Sequence, residues 1–513
     1  MSDFIRPPRV RLAPAPSGFL HVGSVRTALY NWLHARRYGG RFILRIEDTD
    51  ITRATKESMR AMIDALRWTG LDWDEGPEVE GPYGPYRQSE RAPFYAAVVR
   101  RLLAAGVAYE DYASPEELTA YREAQRAAGR TPIIKGALRG APRPGETTPP
   151  SVRVATPVSG EIVVEDLVRG RVSFDWANIG DFVVQRADGT ATYPLASTTD
   201  DVAQGMTLVC RGEDLLSVTP RQLLLYGELT REGLIDEALA EAGLPARESH
   251  WRSPEAFAHL PLIVAEDRKP LSKRHGSVAV EEFAAQGYLP EVLLNYLALL
   301  GWSPGDGRER MGLDELIEAF EISAVGRTPA AFDVGKLTAC NGERIRELDE
   351  DELTERLVPY LDGTYGEASI SSPPTEAERR LLRSLVPLVR ERLERLDEVQ
   401  RQAAFLFRRE IDLDPKAVDK VFGTADAVKV LEAAAEVVAG VEEWTAESIE
   451  QGLRELPQRL GLGARKAFQP IRVAVTGSNV SPPLFESLAL LPRACVLDRL
   501  QAALPVAEKA AQS

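Results

Sequence analysis

Two short stretches of this chain carry residue types suited to phosphate chemistry. Pro270-Leu271-Ser272-Lys273-Arg274-His275-Gly276 sets two adjacent cations beside a hydroxyl, with glycine directly after. Arg268 and Lys269 precede it, so four cations fall within eight residues. The proline and glycine favour a loop over a helix, and Lys273 could there neutralise a departing pyrophosphate. Far upstream, Pro16-Ser17-Gly18-Phe19-Leu20-His21-Val22-Gly23-Ser24 reads as a strand-to-helix turn with a histidine in it. A helix start offers backbone N–H groups and a partial positive charge to phosphate, and glycines let the backbone approach closely. His21 can donate to a phosphate oxygen as charge builds during displacement. Together the two loops suggest attack at the α-phosphate of ATP.

A third cluster, Val209-Cys210-Arg211-Gly212-Glu213-Asp214, follows Thr192-Tyr193-Pro194. An arginine at a strand end suits a small-molecule site in an α/β sheet, and a guanidinium reads a carboxylate in a bidentate manner. Taken singly, each cluster has an ordinary counterpart. The histidine turn could be a plain connection, the cations a solvated charge run, and the arginine part of a surface salt-bridge cluster.

The elements that must position these residues follow from periodicity. Val10-Arg11-Leu12-Ala13 reads as a short strand stopped by Pro14 and Pro16. From Ser24, the residues Val25, Ala28, Leu29, Trp32, Leu33 and Ala35 keep helical spacing, and Gly39-Gly40 ends the helix. Arg41 to Ile46 is a second strand. This βαβ-type opening predicts a parallel sheet with ligands at the carboxyl ends of its strands. A second helix runs from about Lys56 to Thr69. Asp111 to Gly189 differs: a polar helix near Pro115–Ala128, a Pro/Gly/Thr-rich loop and β-like runs such as Ile162-Val163-Val164 suggest an insertion. Parallel-sheet character resumes near Thr192 to Arg211, and Pro290 to Leu300 is an apolar helix. Beyond about Glu350, helical spacing interrupted at Pro415, Gly423, Gly440 and Pro457 predicts a bundle of several helices.

Composition narrows the class. A chain of 513 residues predicts several domains, and 44% hydrophobic residues suffice for large cores. No apolar run is long enough to cross a bilayer, which predicts no membrane association. The N-terminal stretch has no hydrophobic signal core. The three cysteines are too far apart for a zinc spacing or a disulfide framework, so a reducing cytoplasm is expected. A net charge of −15 argues against a nonspecific nucleic-acid coat, yet leaves room for an enzyme with local basic patches.

The clusters occur in one order that resembles a known family. Val10-Arg11-Leu12-Ala13-Pro14-Ala15-Pro16-Ser17-Gly18-Phe19-Leu20-His21-Val22-Gly23 resembles the first signature of class I aminoacyl-tRNA synthetases. Arg26-Thr27-Ala28-Leu29-Tyr30-Asn31-Trp32 and Phe42-Ile43-Leu44-Arg45-Ile46-Glu47-Asp48-Thr49-Asp50 resemble the glutamyl/glutaminyl branch. Gly70 to Pro77, Arg211-Gly212-Glu213-Asp214, Leu271 to Gly276, Leu294 to Trp302 and Arg472 to Gly477 extend the likeness over nearly the whole chain. The whole is similar to a bacterial-type glutamyl-tRNA synthetase.

The resemblance implies a Rossmann-like α/β catalytic domain with an α+β insertion, followed by an all-α anticodon-binding region. It implies a catalytic domain at 1–110 and 191–250, an acceptor-end-binding insertion at 111–190, a stem-contact domain at 251–345 and a helical region at 346–513. Its implied reaction is ATP-dependent ligation of L-glutamate to tRNA(Glu) through an adenylate, by a cytoplasmic monomer using Mg²⁺. His21 and Lys273 would be catalytic; His21, Gly23, Ser272, Lys273 and Arg274 would bind ATP. Arg11, Glu47, Tyr193 and Arg211 fall at glutamate-binding positions. Two arginines suit a dicarboxylate, and Glu47 can pair with its ammonium.

Some positions depart from the family pattern. Ala15 stands where a serine is usual, Ser197 where asparagine is frequent, and Pro270 replaces the first lysine of the second signature, with Lys269 one place earlier. Tyr109 to Ala113 lacks the cysteines that hold zinc in some relatives, so no zinc and no protein-bound metal are expected. In the tail, Arg465, Lys466, Phe468 and Arg472 combine cations with an aromatic suited to tRNA bases; equally, Phe468 could be core and the cations a cover for the bundle. The alternatives are a glutaminyl enzyme, whose family pattern ends in β-barrels, a short tRNA-modifying paralogue, a nucleotidyltransferase of another class, and a tRNA-binding relative without catalysis. The helical tail and the set His21, Glu47, Arg211 and Lys273 favour the glutamyl type.

Overall fold

The computed structural model describes residues 6–16, 18–49, 55–136, 149–231, 233–272, 274 and 278–512. Of the residues singled out above, Ser17, Asp50, Lys273, His275 and Gly276 lie outside these. The chain divides into two compact units, Met1–Glu281 with Leu293–Asp333 and Glu282–Val292 with Val334–Ser513.

In the first unit, β1 (Arg9–Leu12), α1 (Val22–Arg37) and β2 (Arg41–Leu44) form the expected βαβ unit, with β1 and β2 parallel and Arg11 opposite Ile43. α1 forms because its apolar residues repeat at helical spacing and bury Val25, Ala28, Leu29, Trp32 and Leu33. Its last turn carries Arg36 and Arg37, which favour the negative end of the helix dipole. Arg36 also donates to Asp74 at 2.7 Å, and the Trp32 indole donates to Asp72 at 2.7 Å, so the helix is fastened beyond its packing. α2 (Lys56–Thr69) starts on a Thr55 cap and ends on Gly70, whose φ of 80° explains the glycine. α3 (Ala92–Ala104) covers the core beside it.

Residues 108–185 contain two kinds of β structure. β3 (Ala108–Asp111), β4 (Ser151–Val154) and β7 (Phe182–Gln185) make an antiparallel sheet, flanked in sequence by α4 (Pro115–Ala127). The hairpin of β5 (Glu161–Asp166) and β6 (Gly170–Asp175) does not join that sheet. It belongs to a four-stranded sheet of order β6-β5-β9-β8, with β8 (Leu208–Gly212) and β9 (Ala256–Leu260) parallel. α5 (Tyr193–Ala203) and α6 (Thr219–Leu229) flank β8 in sequence and bury Leu195, Ala196, Leu225 and Leu229 in one core. Thr207, just before β8, donates its N–H to the Arg9 carbonyl at 2.9 Å, which carries the sheet alignment on to β1.

The second unit is helical. Glu376–Val389 buries Leu382, Leu385, Val386 and Val389 along one face. Ala425–Gly440 packs against Ala464–Thr476 and Arg493–Ala511 and buries Leu431, Ala434 and Val438. Among the described residues, no helix is long and apolar enough to cross a membrane.

Candidate active site

The carboxyl ends of β1, β2, β8 and β9 open on a cavity of about 430 Å³. His21, Gly23, Arg11, Glu47, Tyr193 and Arg211 all line it, so residues scattered over two hundred positions meet in one place. Ser272 and Arg274 are not among its lining residues; Arg274 is exposed.

His21 caps α1 from an extended backbone, two residues earlier than the apolar spacing suggested. Its Nδ1 accepts from the Gly23 N–H at 3.0 Å, and a hydrogen bond ties the ring to the Leu271 backbone. Burial holds its pKa below the ordinary value, so the ring is neutral and its second nitrogen is the donor. The expectation of free N–H groups at this helix start needs correction. Val22 donates to the Val278 carbonyl at 3.0 Å, Gly23 to His21, and Ser24 to the His21 carbonyl at 2.8 Å. A backbone donor this close to an acceptor is already satisfied, and the imidazole is engaged at both nitrogens too, accepting from Gly23 and donating to Leu271, so its N–H reaches a phosphate only by leaving the Leu271 bond. The bond to Leu271 also joins the two signature stretches. A further bridge pairs His21 with Ala279.

The segment leading into the second signature is a tight hairpin. Ala265 donates to the Lys269 carbonyl at 2.8 Å and Leu271 to the Ile263 carbonyl at 3.2 Å, with Arg268 turned to a φ of 62°. Lys269 is largely exposed and pairs with Asp267 at 3.2 Å.

Three arginines line the cavity, and the two expected to bind substrate, Arg11 and Arg211, are held differently. Arg11 faces Asp201 through two bonds of 3.1 and 3.3 Å. Asp201 also meets Arg45 at 2.8 Å and the Tyr226 hydroxyl at 2.8 Å. Arg211 is 4% exposed and donates to neutral acceptors: His259 at 3.1 Å, the Tyr193 hydroxyl at 3.0 Å, Thr219 at 2.9 Å and Gln222 at 2.6 Å. Its charge therefore remains available to an incoming carboxylate. Glu47 receives Arg45 at 3.3 Å, yet burial pushes its pKa up. A cation arriving beside it would favour its ionised form. The cavity thus offers a cation for a carboxylate and an anion for an ammonium, next to a neutral imidazole whose N–H is bonded to Leu271.

Ser197 is fully buried, lies 3.5 Å from Arg45 and does not line the cavity. Ala15 is exposed. Residues not singled out from sequence include Arg45, Asp200, Asp201, Asp166 and His259. Their signal was an acidic pair in a helix that carries no basic residue and a histidine inside an apolar strand. In the tail, Arg465 and Lys466 are exposed at the start of Ala464–Thr476. Phe468 packs edge-on against Phe485 with centroids 5.5 Å apart, and Arg472 donates to the Pro482 carbonyl at 2.7 Å. The latter two are thus engaged within the bundle.

The sheet and its cavity define a class I synthetase catalytic domain. Residues 8–235 and 248–339 match the family model for tRNA synthetases class I (E and Q), catalytic domain, and residues 352–504 match an anticodon binding domain. Similar proteins include the glutamate–tRNA ligase of Saccharopolyspora erythraea, 45% identical over 97% of this chain and 96% of its own. Glutamate–tRNA ligase 2 of Rubrobacter xylanophilus is 43% identical over 96% of this chain and 97% of its own. Among solved structures, a glutamate tRNA ligase from Elizabethkingia meningosepticum, in complex with its amino acid, matches with a TM-score of 0.75 at 29% identity. That match covers 98% of this chain and 99% of the other. The chain belongs to the glutamate–tRNA ligase family of class I aminoacyl-tRNA synthetases.

Proposed function

We propose that this enzyme joins L-glutamate to the 3′ end of tRNA(Glu) in two steps, with MgATP as co-substrate. The observation that carries this reading is the cavity itself, where Arg211, Tyr193, Arg11 and Glu47 meet the His21 turn. Arg211 and the Tyr193 hydroxyl take the side-chain carboxylate, and Glu47 takes the ammonium. Arg11, steadied by Asp201, completes the electrostatic frame. A glutamate α-carboxylate oxygen then attacks the α-phosphorus of ATP. An O–P bond forms, the bond to the β-phosphate bridge breaks, and pyrophosphate leaves. His21, as a neutral donor that exchanges its Leu271 bond for the nucleotide, stabilises charge on the phosphate oxygens. In the second step a ribose hydroxyl of the terminal adenosine attacks the activated carbonyl, AMP leaves with the bonding electrons, and the hydroxyl proton passes to the departing phosphate oxygen. No protein nucleophile is needed; the residues position the reactants and stabilise charge.

The same reading gives Lys273, with Ser272 and Arg274 beside it, the charge of the leaving pyrophosphate. Lys273→Ala should slow adenylate formation roughly 10²- to 10³-fold, the scale for losing one preorganised stabilising group. Single-turnover adenylate formation measures this, and a near-normal rate removes Lys273 from the role. Residues 111–190 would meet the acceptor end of the tRNA and 251–345 its stem. The helical region at 346–513 would meet the anticodon, with Arg465 and Lys466 the accessible cations of the tail cluster. The enzyme is read as a cytoplasmic monomer. Charging of purified tRNA(Glu) and tRNA(Gln) with radiolabelled glutamate and glutamine tests the whole reading. Glutamate on tRNA(Glu) is the expected product. Glutamine alone, or no charging, overturns it.

A further inference from the structure

The partners of Arg211 point to a device behind the substrate pocket. Its Nε donates to His259 Nε2 at 3.1 Å. The His259 ring is fully buried, and its Nδ1 lies 2.6 Å from Asp166 Oδ2. Asp166 is locked in turn: its Oδ1 accepts from the backbone N–H groups of Val168 at 3.0 Å and Arg169 at 2.8 Å, and Oδ2 accepts from that of His259 at 3.1 Å. These three residues come from β8, β9 and β5, so the hairpin that leaves its neighbours' sheet delivers Asp166 to this point.

We propose that Asp166 fixes the tautomer of His259, and that His259 positions Arg211 while keeping its positive charge for a substrate carboxylate. An ionised carboxylate can only accept, so the proton of a neutral imidazole must sit on Nδ1. Nε2 is then a lone pair facing Arg211 Nε–H at 3.1 Å, with the Thr219 hydroxyl as a second neighbour at 3.0 Å. The imidazole separates the guanidinium from the buried acid. A direct contact would have made an ion pair like that of Arg11 with Asp201 at 3.1 Å, in which the arginine charge is already answered. Arg211 instead meets a neutral ring on one side and neutral oxygens on the others, and stays both fixed and uncompensated. This rests on the reading that Arg211 binds glutamate. His259 and Asp166 are positioning residues and do not line the cavity.

The test exploits the tautomer. In Asp166→Asn the backbone donors hold the amide oxygen at the Oδ1 place, which turns the NH₂ toward His259 Nδ1. The imidazole proton must then move to Nε2, where it opposes Arg211 Nε–H. The KM for glutamate should rise about 10- to 100-fold, the range for losing a hydrogen bond to a charged group, with the KM for ATP unchanged. His259→Ala should show the same loss. His259→Gln should recover most of it, because the amide oxygen accepts where Nε2 did. A folded Asp166→Asn enzyme with the wild-type glutamate KM overturns the proposal, as does an equal rise in the KM for ATP. Should Asp166→Asn fail to fold, the His259→Ala and His259→Gln pair decides: recovery in Gln supports the role, and equal glutamate KM values in the two overturn it. Arg211→Ala separates the two levels. If it leaves the glutamate KM unchanged, the reading of Arg211 fails. If it raises that KM while the Asp166 and His259 variants do not, only the positioning role fails.

Discussion

Replacing Arg211 by alanine should lower kcat/KM for glutamate by about 10³-fold, or ~4 kcal/mol, the scale for removing one partner of a buried charge pair. The size follows from the surroundings. Arg211 is nearly fully buried, and Tyr193, Thr219, Gln222 and His259 hold it from separate directions. A substrate carboxylate entering this pocket loses its water and needs a charged partner that is already oriented. With alanine there, glutamate brings an unpaired anion into a cavity whose other two arginines are already engaged, Arg11 with Asp201 and Arg26 with the Leu300 and Pro261 carbonyls. Lysine should restore little. Its ammonium has three donors and no planar fork, so it cannot hold the four wall contacts and a carboxylate together. Discrimination against glutamine should narrow in Arg211→Ala, because the neutral amide loses less than the anion does. Steady-state charging with each amino acid measures all of this. A loss confined to the KM for ATP, with glutamate unaffected, would contradict it. The Asp166→Asn effect is smaller because that variant leaves the guanidinium present and disturbs only its orientation.

The parts of this site legible in the sequence were those whose residue types announce a chemistry. His21 stands in a glycine-bounded turn between a strand and an amphipathic helix, and Arg211 at a strand end before Gly212. Either position could be placed from spacing alone, because strand and helix periods are local. The helix start was read two residues late because the capping group is the histidine itself. What could not be read are the partners. Asp166 and His259 are 93 residues apart, and Arg11 and Asp201 are 190 apart. In sequence, His259 is one polar residue in an apolar strand, which a satisfied core histidine would also explain. Nor does local pattern say that β5 and β6 join the sheet of β8 and β9 and not that of β3, β4 and β7. That choice depends on contacts between distant segments. Asp166 is one of them, since its carboxylate takes the His259 backbone N–H as well as the ring.

Asp201→Asn should destabilise the first unit by about 3–5 kcal/mol, again the cost of leaving buried charge without its partner. Asp201 is fully buried, and so is Arg45, with Arg11 only 3% exposed. One carboxylate serves both arginines, at 2.8 Å to Arg45 and 3.1 Å to Arg11, and also accepts from Tyr226 at 2.8 Å. Asparagine keeps the shape and can still accept from Tyr226. It supplies no negative charge, so two guanidinium groups lose it together. Arg45 keeps Glu47 at 3.3 Å and a longer contact of 3.9 Å to Asp200, whose oxygens already meet Arg91 at 2.7 Å, Gln88 at 3.0 Å and Tyr95 at 2.8 Å, so the heavier loss falls on Arg11. Denaturant unfolding at neutral pH reads the difference, and an unchanged midpoint would refute it. The pH dependence offers a second check. Burial works to raise the Asp201 carboxyl, but Arg11 and Arg45 outweigh it and hold the group down at about 2, below its ordinary 3.8. A carboxyl depressed in the folded state stabilises that state above its unfolded pKa and loses the contribution as pH falls through the folded one. Wild-type stability should therefore fall between about pH 4 and pH 2 by an increment that Asp201→Asn lacks. Because Arg11 lines the cavity and takes its orientation from Asp201, the same substitution should weaken glutamate binding in whatever fraction remains folded. The carboxylate that stabilises this core also sets the electrostatic frame of the site.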